Sequence, residues 1–357
     1  MRRLADQTST DAPILSVYVD IRPEAHGERP GERQELVRVR DGLSAIQRTL
    51  APHTPARVSF DADRERIEHL LDGGDGLDRA LLSDGDDLVD LEGVAIFACN
   101  HIGLWEAVGS QAPFDIQVIA GPTAELFQLA RFLDGNESAV VAIVDSNTCR
   151  LFVTRRGRLV ELPGPDDSPD EHRRPDVGGW SQARFQRHVD MQDQRFAKEA
   201  ADAIERLVQQ EKAEHVLIAG HERAVGFLEP ELSEAVRPLV EHITRMEMRA
   251  SAEDVHNEFL PLLAALEEAD AMDVADRAVA GTLAGGLGVT GIEDTLQALE
   301  FGQVDELVLD ETAPIDEELR AELIRQAALT DARVEILHEH EGLSRAEGIG
   351  ATLRFRI

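Results

Sequence analysis

The chain has 357 residues, of which 43% are hydrophobic, and its formal net charge is −33. A single hydrophobic core does not normally grow to this size, so we expect two or three domains. The negative charge argues against nucleic acid, and DNA in particular, as a partner, because phosphate is bound by lysine and arginine and is repelled by a negative field. Any contact with RNA therefore has to be local.

The sequence contains no segment that predicts a membrane or secreted protein. No opening stretch joins a basic end to an apolar run, and no apolar run approaches the ~20 residues that span a bilayer. The two cysteines, Cys99 and Cys149, stand among apolar, strand-like residues, which predicts buried thiols rather than disulfides or metal ligands. We expect a cytoplasmic protein that binds no membrane, metal or cofactor.

The first 135 residues predict an α/β segment. β-branched and aromatic residues cluster at 14–21 and indicate a strand, and the helix that follows is expected to reach Leu50. An Asp-rich stretch at 71–90 lacks the spacing of an EF-hand loop, so we interpret it as a solvated linker. Further strands are predicted at residues 57–60, 94–99, 104–108 and 116–120.

Residues 136–250 predict a second segment in which strands and helices alternate. Proline, glycine and aspartate make residues 163–179 a predicted loop. A long helix is expected at 181–212, and a buried strand at 215–220 follows it. Strands before the loop are predicted at 140–145, 150–154 and 158–162, the first two forming a hairpin around residues 146–148.

Residues 251–357 predict a third, compact α/β unit. It begins with a helix rich in Ala, Glu and Leu, and a short helix at 291–302 is closed by Gly302. Strands are then expected at 306–310, 333–337 and 351–356, with a helix at 315–328. The fold class is therefore α/β, in the sense of mixed α+β, with domains at 1–135, 136–250 and 251–357.

The junction between the loop and the long helix is the candidate functional site. Gly178 and Gly179 allow the backbone to approach another molecule closely, and Ser181 can cap the helix. From His172 to His188 there are four arginines and one acid, a local charge of +3. Plotted as a helix, the expected core face is Phe185, Val189, Phe196, Ala200, Ala203, Ile204 and Leu207, and the basic face is Arg184, Arg187, His188, Arg195 and Lys198. An ordinary amphipathic helix with a solvated face is the alternative.

This junction resembles the archaeal and eukaryotic class-1 peptide chain release factors. They carry a Gly-Gly-Gln loop, then a Ser and an Arg-Phe-rich helix, which here read Gly178, Gly179, Ser181 and residues 183–187, with Trp180 in place of the glutamine. Residues 291–309 and 348–354 are similar to their third domain and that of the Pelota factors. The decoding motif Asn-Ile-Lys-Ser is missing, and residues 33–38 lie in the corresponding region. The resemblance covers residues 138–357 and implies a three-domain architecture.

The resemblance implies a protein that binds the ribosome without cutting peptidyl-tRNA. The glutamine of the family positions water for ester hydrolysis, whereas Trp180 offers one donor and a stacking surface. The chain is similar to bacterial hibernation factors of the Balon type, so we expect it to occupy the A site of idle or stalled ribosomes under stress. Its partners would be rRNA of the A site and peptidyl transferase centre and elongation factor Tu. The expected contact residues, none of them catalytic, are Gly178, Gly179, Trp180, Ser181, Arg173, Arg174, Arg184, Arg187, His188 and Arg195.

Other interpretations stay open at this point. An active release or rescue factor is one, with Gln182 replacing the lost side chain if the loop changed register. Residues 286–291 match the dinucleotide-binding pattern Gly-x-Gly-x-x-Gly, with Asp310 downstream, but that pattern needs a strand before its first glycine. His338 and His340, like His172 and His188, are expected to be solvated rather than metal ligands. The last alternative is an interaction protein that has kept this fold but no longer binds the ribosome.

Overall fold

The structure is a computed structural model that describes residues 1–22, 34–72, 91–110, 112–135, 138–155, 158–165, 182–243 and 246–356. Side chains are described for these residues except 34 and 182–189. Contacts divide the chain into two compact units. The first is formed by Met1–Gly135 together with Glu267–Ile357, and the second by Asn136–Leu266.

The first segment of the first unit forms a four-stranded antiparallel sheet in the order β3-β2-β1-β4. The central strand β1 is buried along its whole length, because Tyr18 faces one apolar cluster while Val17 and Val19 face another. The elements are α1 (Arg2–Ala5), β1 (Ile14–Asp20), α2 (Gln34–Thr49), α3 (Pro55–Asp72), β2 (Gly93–Cys99), a 3₁₀ turn (Asn100–Ile102), β3 (Leu104–Ser110), β4 (Gln117–Gly121) and α4 (Phe127–Asp134).

The strand predicted at 57–60 is wrong, since these residues lie in helix α3. The Thr54 hydroxyl accepts a hydrogen bond from the Arg57 amide at 3.2 Å, and Pro55 is the first helical residue. Both features favour a helix start. Phe60 and Ile67 then become buried at a helical spacing. Of the Asp-rich stretch at 71–90, interpreted as a linker, residues 71 and 72 end helix α3 and residues 73–90 lie outside the described residues.

The second unit is built on a five-stranded sheet in the order β7-β6-β5-β8-β9. Strands β5, β8 and β9 run parallel, while β5-β6-β7 is an antiparallel meander that contains the predicted hairpin. Its elements are β5 (Ala139–Val144), β6 (Cys149–Arg155), β7 (Arg158–Leu162), α5 (Gln182–Glu211), β8 (His215–Gly220), α6 (Glu222–Leu228), 3₁₀ turns (Glu229–Glu231 and Arg237–Leu239) and β9 (Val240–Ile243).

The last segment belongs to the first unit from Glu267 onward and carries a sheet in the order β10-β13-β11-β12. Gly302, at a φ of 64°, ends helix α8 as predicted, and its amide donates to Leu299 O at 2.9 Å. The last strand ends at Leu353, earlier than predicted. The elements are α7 (Ala252–Ala284), β10 (Gly288–Thr290), α8 (Ile292–Glu300), β11 (Val304–Asp310), α9 (Glu317–Leu329), β12 (Arg333–Leu337), α10 (Glu341–Ser344) and β13 (Ile349–Leu353).

One hydrophobic core joins the two segments of the first unit. Tyr18 and Leu126 from the first segment share this cluster with Leu307 and Ile324 from the last. A polar contact also joins the two segments, since Asp134 Oδ2 accepts the Ile336 amide at 3.0 Å. The mixed α/β fold class is confirmed by the three sheets and their helices. The domain boundaries at 135 and 250 stay a prediction.

Candidate functional site

The predicted tip lies outside the described residues. This holds for Gly178, Gly179, Trp180 and Ser181 and for Arg173 and Arg174. The structure describes the helix from Gln182 onward, one residue after Ser181. The side chains of Arg184, Arg187 and His188 lie on its described backbone but are themselves outside the description. Their role in a site stays a prediction.

Helix α5, which follows the tip, is held by the apolar face expected from the sequence. Phe196, Ala200 and Ile204 are buried in one cluster with the sheet residues Val140 and Ile218. The core face is therefore confirmed for its described members. The helix is fixed along its middle and end because these side chains cannot leave the core without exposing apolar surface.

Arg195 is the one predicted contact residue whose side chain the structure describes. Its side chain is 77% exposed, and its Nε lies 3.2 Å from Glu199 Oε1 one turn further along the helix. A solvent-exposed pair of this kind contributes little stability and is screened by salt. The guanidinium thus keeps donors that another molecule could use.

Arg223 fastens the beginning of helix α5 to helix α6. Its Nη2 lies 2.8 Å from Asp190 Oδ1 and 2.9 Å from Asp193 Oδ2, and its guanidinium also lies over the Phe227 ring. His221 Nδ1 accepts the Arg223 amide at 3.3 Å and caps α6. Sequence reasoning missed this contact. Its only signal is the pair of aspartates three residues apart on one helix.

Gly220 determines where helix α6 begins. It adopts a φ of 151°, and a Cβ at this position would lie 2.0 Å from Val144 O. The His221 amide then donates to the same Val144 oxygen at 3.3 Å. Because glycine alone fits there, the chain can turn sharply from strand β8 into α6. This turn brings Arg223 to the aspartates of α5.

The other sequence candidates include two histidines in the last segment. His338 is exposed as expected, whereas His340 is buried, so the expectation of a solvated side chain is wrong for His340. His340 Nδ1 accepts the Leu343 amide at 3.2 Å, and its Nε2 lies 3.2 Å from Asp276 Oδ1. Across the described ranges, no three His, Cys, Asp or Glu side chains form a group suited to a metal ion. His172 and the side chain of His188 lie outside the description.

The Gly-x-Gly-x-x-Gly pattern lacks the setting that dinucleotide binding requires. Strand β10 lies inside the pattern and pairs antiparallel with β13, and helix α7, not a strand, ends at Ala284 just before it. Burial acts to raise the pKa of Asp310, but hydrogen bonds from Thr312, His340 and Ser344 hold that pKa below its usual value.

Two further sequence predictions concern membranes and cysteines. In the part of the chain that the structure covers, no helix combines the length and the apolar character needed to cross a bilayer. Cys99 and Cys149 are both buried thiols outside any disulfide, as predicted.

Comparison with known proteins gives one family match. Residues 125–263 match the model described as bacterial archaeo-eukaryotic release factor family 10. No curated protein matches the chain. The matched range contains the whole β7-β6-β5-β8-β9 sheet and helix α5, and the predicted tip falls within it.

Several solved structures are similar along most of the chain. The archaeal translation termination factor aRF1 is 18% identical over 99% of this chain and 96% of its own, with a TM-score of 0.26. Archaeal Pelota, from a model of ribosome-bound Pelota and ABCE1, is 12% identical over 98% and 92%, with a TM-score of 0.45. Dom34 of S. cerevisiae, a translation termination-like factor, is 12% identical over 71% and 75%, with a TM-score of 0.44. These TM-scores are low, so the assignment depends on the family match. Through that match, residues 125–263 are similar to the bacterial archaeo-eukaryotic release factors of family 10.

Proposed function

We propose that the chain is a ribosome-binding translation factor that occupies the A site of idle or stalled ribosomes and protects them without hydrolysing peptidyl-tRNA. The observation that carries this proposal is Trp180, which stands where the release-factor tip has its glutamine, inside the range that matches the family. Its expected setting is the cytoplasm of a stressed cell, where vacant ribosomes accumulate.

The chemistry of Trp180 favours binding over catalysis. Glutamine has an acceptor and two donors with which to orient a water molecule, whereas the indole has one donor and no acceptor. An aromatic ring can instead stack on an RNA base, a contact that contributes about 1–3 kcal/mol. A tip that ends in Trp180 would therefore occupy a catalytic centre made of RNA without supplying the group that orients water for hydrolysis.

Helix α5 gives such a tip both reach and support. It has 30 residues and so extends about 45 Å. Phe196 and Ile204 fix it to the sheet, and Arg223 fastens it near its beginning. Binding energy from the tip is then not lost in ordering the helix, because the helix is already held in place.

The expected partners follow from the charge pattern and from the family. The stretch from His172 to His188 is positive in a strongly negative chain, so rRNA of the A site and peptidyl transferase centre is expected to contact this stretch and little else. The match to a release-factor family supports the ribosome as the partner, and the similar archaeal Pelota is itself ribosome-bound. Elongation factor Tu is the protein partner that we propose.

Cosedimentation with ribosomes tests the proposal. We expect the protein to sediment with 70S particles from starved cells, and its absence from every ribosomal fraction would leave only the alternative of a non-ribosomal interaction protein. Trp180→Ala should weaken binding about 5- to 150-fold, which corresponds to one lost stacking contact. The charge reversal Arg184→Glu with Arg187→Glu should also weaken it.

Arg206→Glu is a control for the charge reversal, and it reverses one arginine where the tip variant reverses two. Arg206 is an exposed arginine near the other end of helix α5, and its Nε donates to Asp202 O. Reversing this charge should leave ribosome binding unchanged. Equal losses for the tip pair and for Arg206 would mean that general charge, and not the tip, controls binding.

An active release or rescue factor is the second candidate. It is favoured by Gln182, which is the first residue of helix α5 and stands two positions after Trp180. A peptide-release assay on ribosomes loaded with peptidyl-tRNA separates the two functions. We expect no release by the wild-type protein; release that is lost in Gln182→Ala would establish the second candidate instead.

A further inference from the structure

A cleft of about 550 Å³ opens in the last segment of the first unit. It lies between the start of helix α8, the residues that lead into helix α9 and the turn that follows helix α10. Ile292, Pro314, Ile315 and Leu319 form its apolar wall. This volume falls within the usual range of ligand pockets, which runs from about 300 to 1,000 Å³.

The backbone fixes the shape of the cleft. Gly348 adopts a φ of 74°, and a Cβ at this position would lie 2.1 Å from the Cβ of Ala313. The two sides can approach this closely only because the residue is glycine. Glu347 Oε2 accepts the Ile292 amide at 3.0 Å and joins the turn to helix α8. The cleft is therefore formed before any partner arrives.

The two hydroxyl groups that line the cleft already donate their protons in hydrogen bonds within the protein. Thr312 Oγ1 donates to Asp310 Oδ1 at 2.7 Å. Ser344 Oγ lies 3.1 Å from Asp310 Oδ2 and 3.0 Å from His340 O, so its single proton points to one of these acceptors. Both hydroxyls can offer only lone pairs to a ligand.

Two carboxylates complete the polar part of the lining. Asp316 caps helix α9 by accepting the amides of Glu318 and Leu319, and Glu347 accepts the Ile292 amide. Within the described ranges, no lysine or arginine forms an ion pair with Asp316 or Glu347. Every polar side chain facing the cleft is thus an acceptor, and two of them are anionic.

We propose that this cleft binds an arginine side chain carried by an exposed, otherwise apolar segment of a partner protein. The guanidinium supplies the several N–H donors that the rim lacks, and its flat face and alkyl stem suit the wall of Pro314 and Leu319. Thr312, Asp316, Ser344 and Glu347 are all exposed. An open rim of this kind suits a side chain delivered on a larger surface better than a small molecule, which its pocket would enclose.

This inference does not depend on ribosome binding, because it concerns residues outside the matched range 125–263. Ribosome cosedimentation and peptide binding can therefore fail independently of each other.

Methyl NMR of the whole protein tests the proposal with defined probes. The probes are acetylated Gly-Leu-Arg-Leu-Gly amide, the same peptide with Gln in place of Arg, and free arginine amide. We expect the Arg peptide to bind with a Kd of about 1 mM and to shift the methyl signals of Ile292, Ile315 and Leu319. The signals of Ile143 and Ile218, which lie in the sheet of the second unit, should not move.

Neutral variants show whether the carboxylates of Asp316 and Glu347 bind the arginine side chain. Asp316→Asn keeps a capping side chain and Glu347→Gln keeps an acceptor for the Ile292 amide, so both should fold. Together they should weaken the Arg peptide about tenfold, as expected for lost charge-assisted hydrogen bonds. Glu293→Gln with Glu318→Gln is the matched control, since both are exposed acids in the first turns of the same helices. It removes the same charge outside the cleft and should have no effect beyond weak general screening.

Three results would overturn the proposal. One is equal binding of the Gln and Arg peptides, or no binding of either. Another is unchanged affinity in the variant with Asp316→Asn and Glu347→Gln. The third is binding of free arginine amide as tight as that of the Arg peptide, which would make the cleft a small-molecule site.

Discussion

Glu125 is a carboxylate that the fold holds in an unfavourable environment. Its Oε1 accepts the Phe127 amide at 2.9 Å, while its Oε2 is buried and has no hydrogen-bond partner. Desolvation is the main cause that raises the pKa of Glu125, the Phe127 amide lowers it, and the negative charge of Glu317 raises it further. Folding therefore disfavours the ionised form, and stability is lost as pH rises through the folded pKa.

Glu125→Gln should reveal the cost of burying this carboxylate through the pH dependence of the free energy of unfolding. We expect the variant to gain free energy of unfolding relative to the wild type as pH rises from about 4.3, the ordinary pKa of glutamate, toward neutrality. The gain amounts to about 1.4 kcal/mol for each unit by which folding raises the pKa. Urea unfolding at a series of pH values measures it.

Glu322→Gln is the control with the opposite sign. A hydrogen bond from Arg325 is the largest cause that lowers the pKa of Glu322, so its stabilising contribution is present above the unfolded pKa and is lost as pH falls through the folded value. The difference between this variant and the wild type should be a destabilisation at neutral pH that shrinks in acid. If both variants follow the same trend with pH, the burial of Glu125 is not its cause.

At the scale of elements, helix α5 is tied to helix α6 by a side chain outside it. Arg223 bridges Asp190 and Asp193 from helix α6, and Asp193 is largely buried. Nearer the tip, the structure describes only the backbone of α5. This contact and the burial of Phe196 hold the first part of the helix whose side chains are described.

Arg223→Ala should loosen the start of helix α5 without unfolding the unit. The side chain is 41% exposed, so solvent screens the pair and a loss of about 1 kcal/mol is expected. Amide hydrogen exchange between residues 186 and 196 should then become about fivefold faster. Arg195→Ala, which removes an exposed pair on the same helix, should change exchange much less. Equal effects of both variants would show that Arg223 has no special role.

The elements that the sequence predicted correctly are those with strong local patterns. Strand β5 is a continuous apolar run, strands β1 and β8 are apolar for most of their length, and helix α5 has a clear helical period. The strand prediction at residues 57–60 failed because a pattern of four residues is too short to distinguish a strand from a helix by its period. The structure forms a helix there, which buries Phe60 and Ile67 on one face.

What the sequence could not predict depends on contacts between distant residues. Arg223 reaches Asp190 across 33 positions, and the reach exists only because Gly220 turns the chain at the end of β8. The cleft likewise needs Gly348 to approach Ala313 from another part of the chain. No local pattern marks either residue, since charge and glycine are common on surfaces and in turns. The tip, in contrast, is marked by its two glycines and its local positive charge and is interpreted through a resemblance, and it stays a prediction.

At the scale of the whole molecule, the two units differ in how the chain forms them. The second unit is continuous in sequence, and its sheet is covered on one face by helix α5 and on the other by Val255 and Phe259 from the start of helix α7. The first unit joins residues 1–135 to residues 267–357 through a shared core and through contacts of α1 and α4 with α9.

Fragments of the chain should therefore differ in stability in a way that three independently folding domains would not. Residues 136–266, expressed alone, should fold cooperatively, because both faces of the sheet keep their cover. Residues 251–357 alone should be strongly destabilised, because the surface that meets Tyr18 and Leu126 becomes exposed. Leu307 and Ile324 belong to that surface, and burying one such side chain contributes about 1.5–3 kcal/mol, so exposing both would cost about 3–6 kcal/mol. Far-UV circular dichroism with urea titration measures both fragments, and adding residues 1–135 should restore the second. Full stability of 251–357 on its own would contradict the shared core and favour the three-domain division instead.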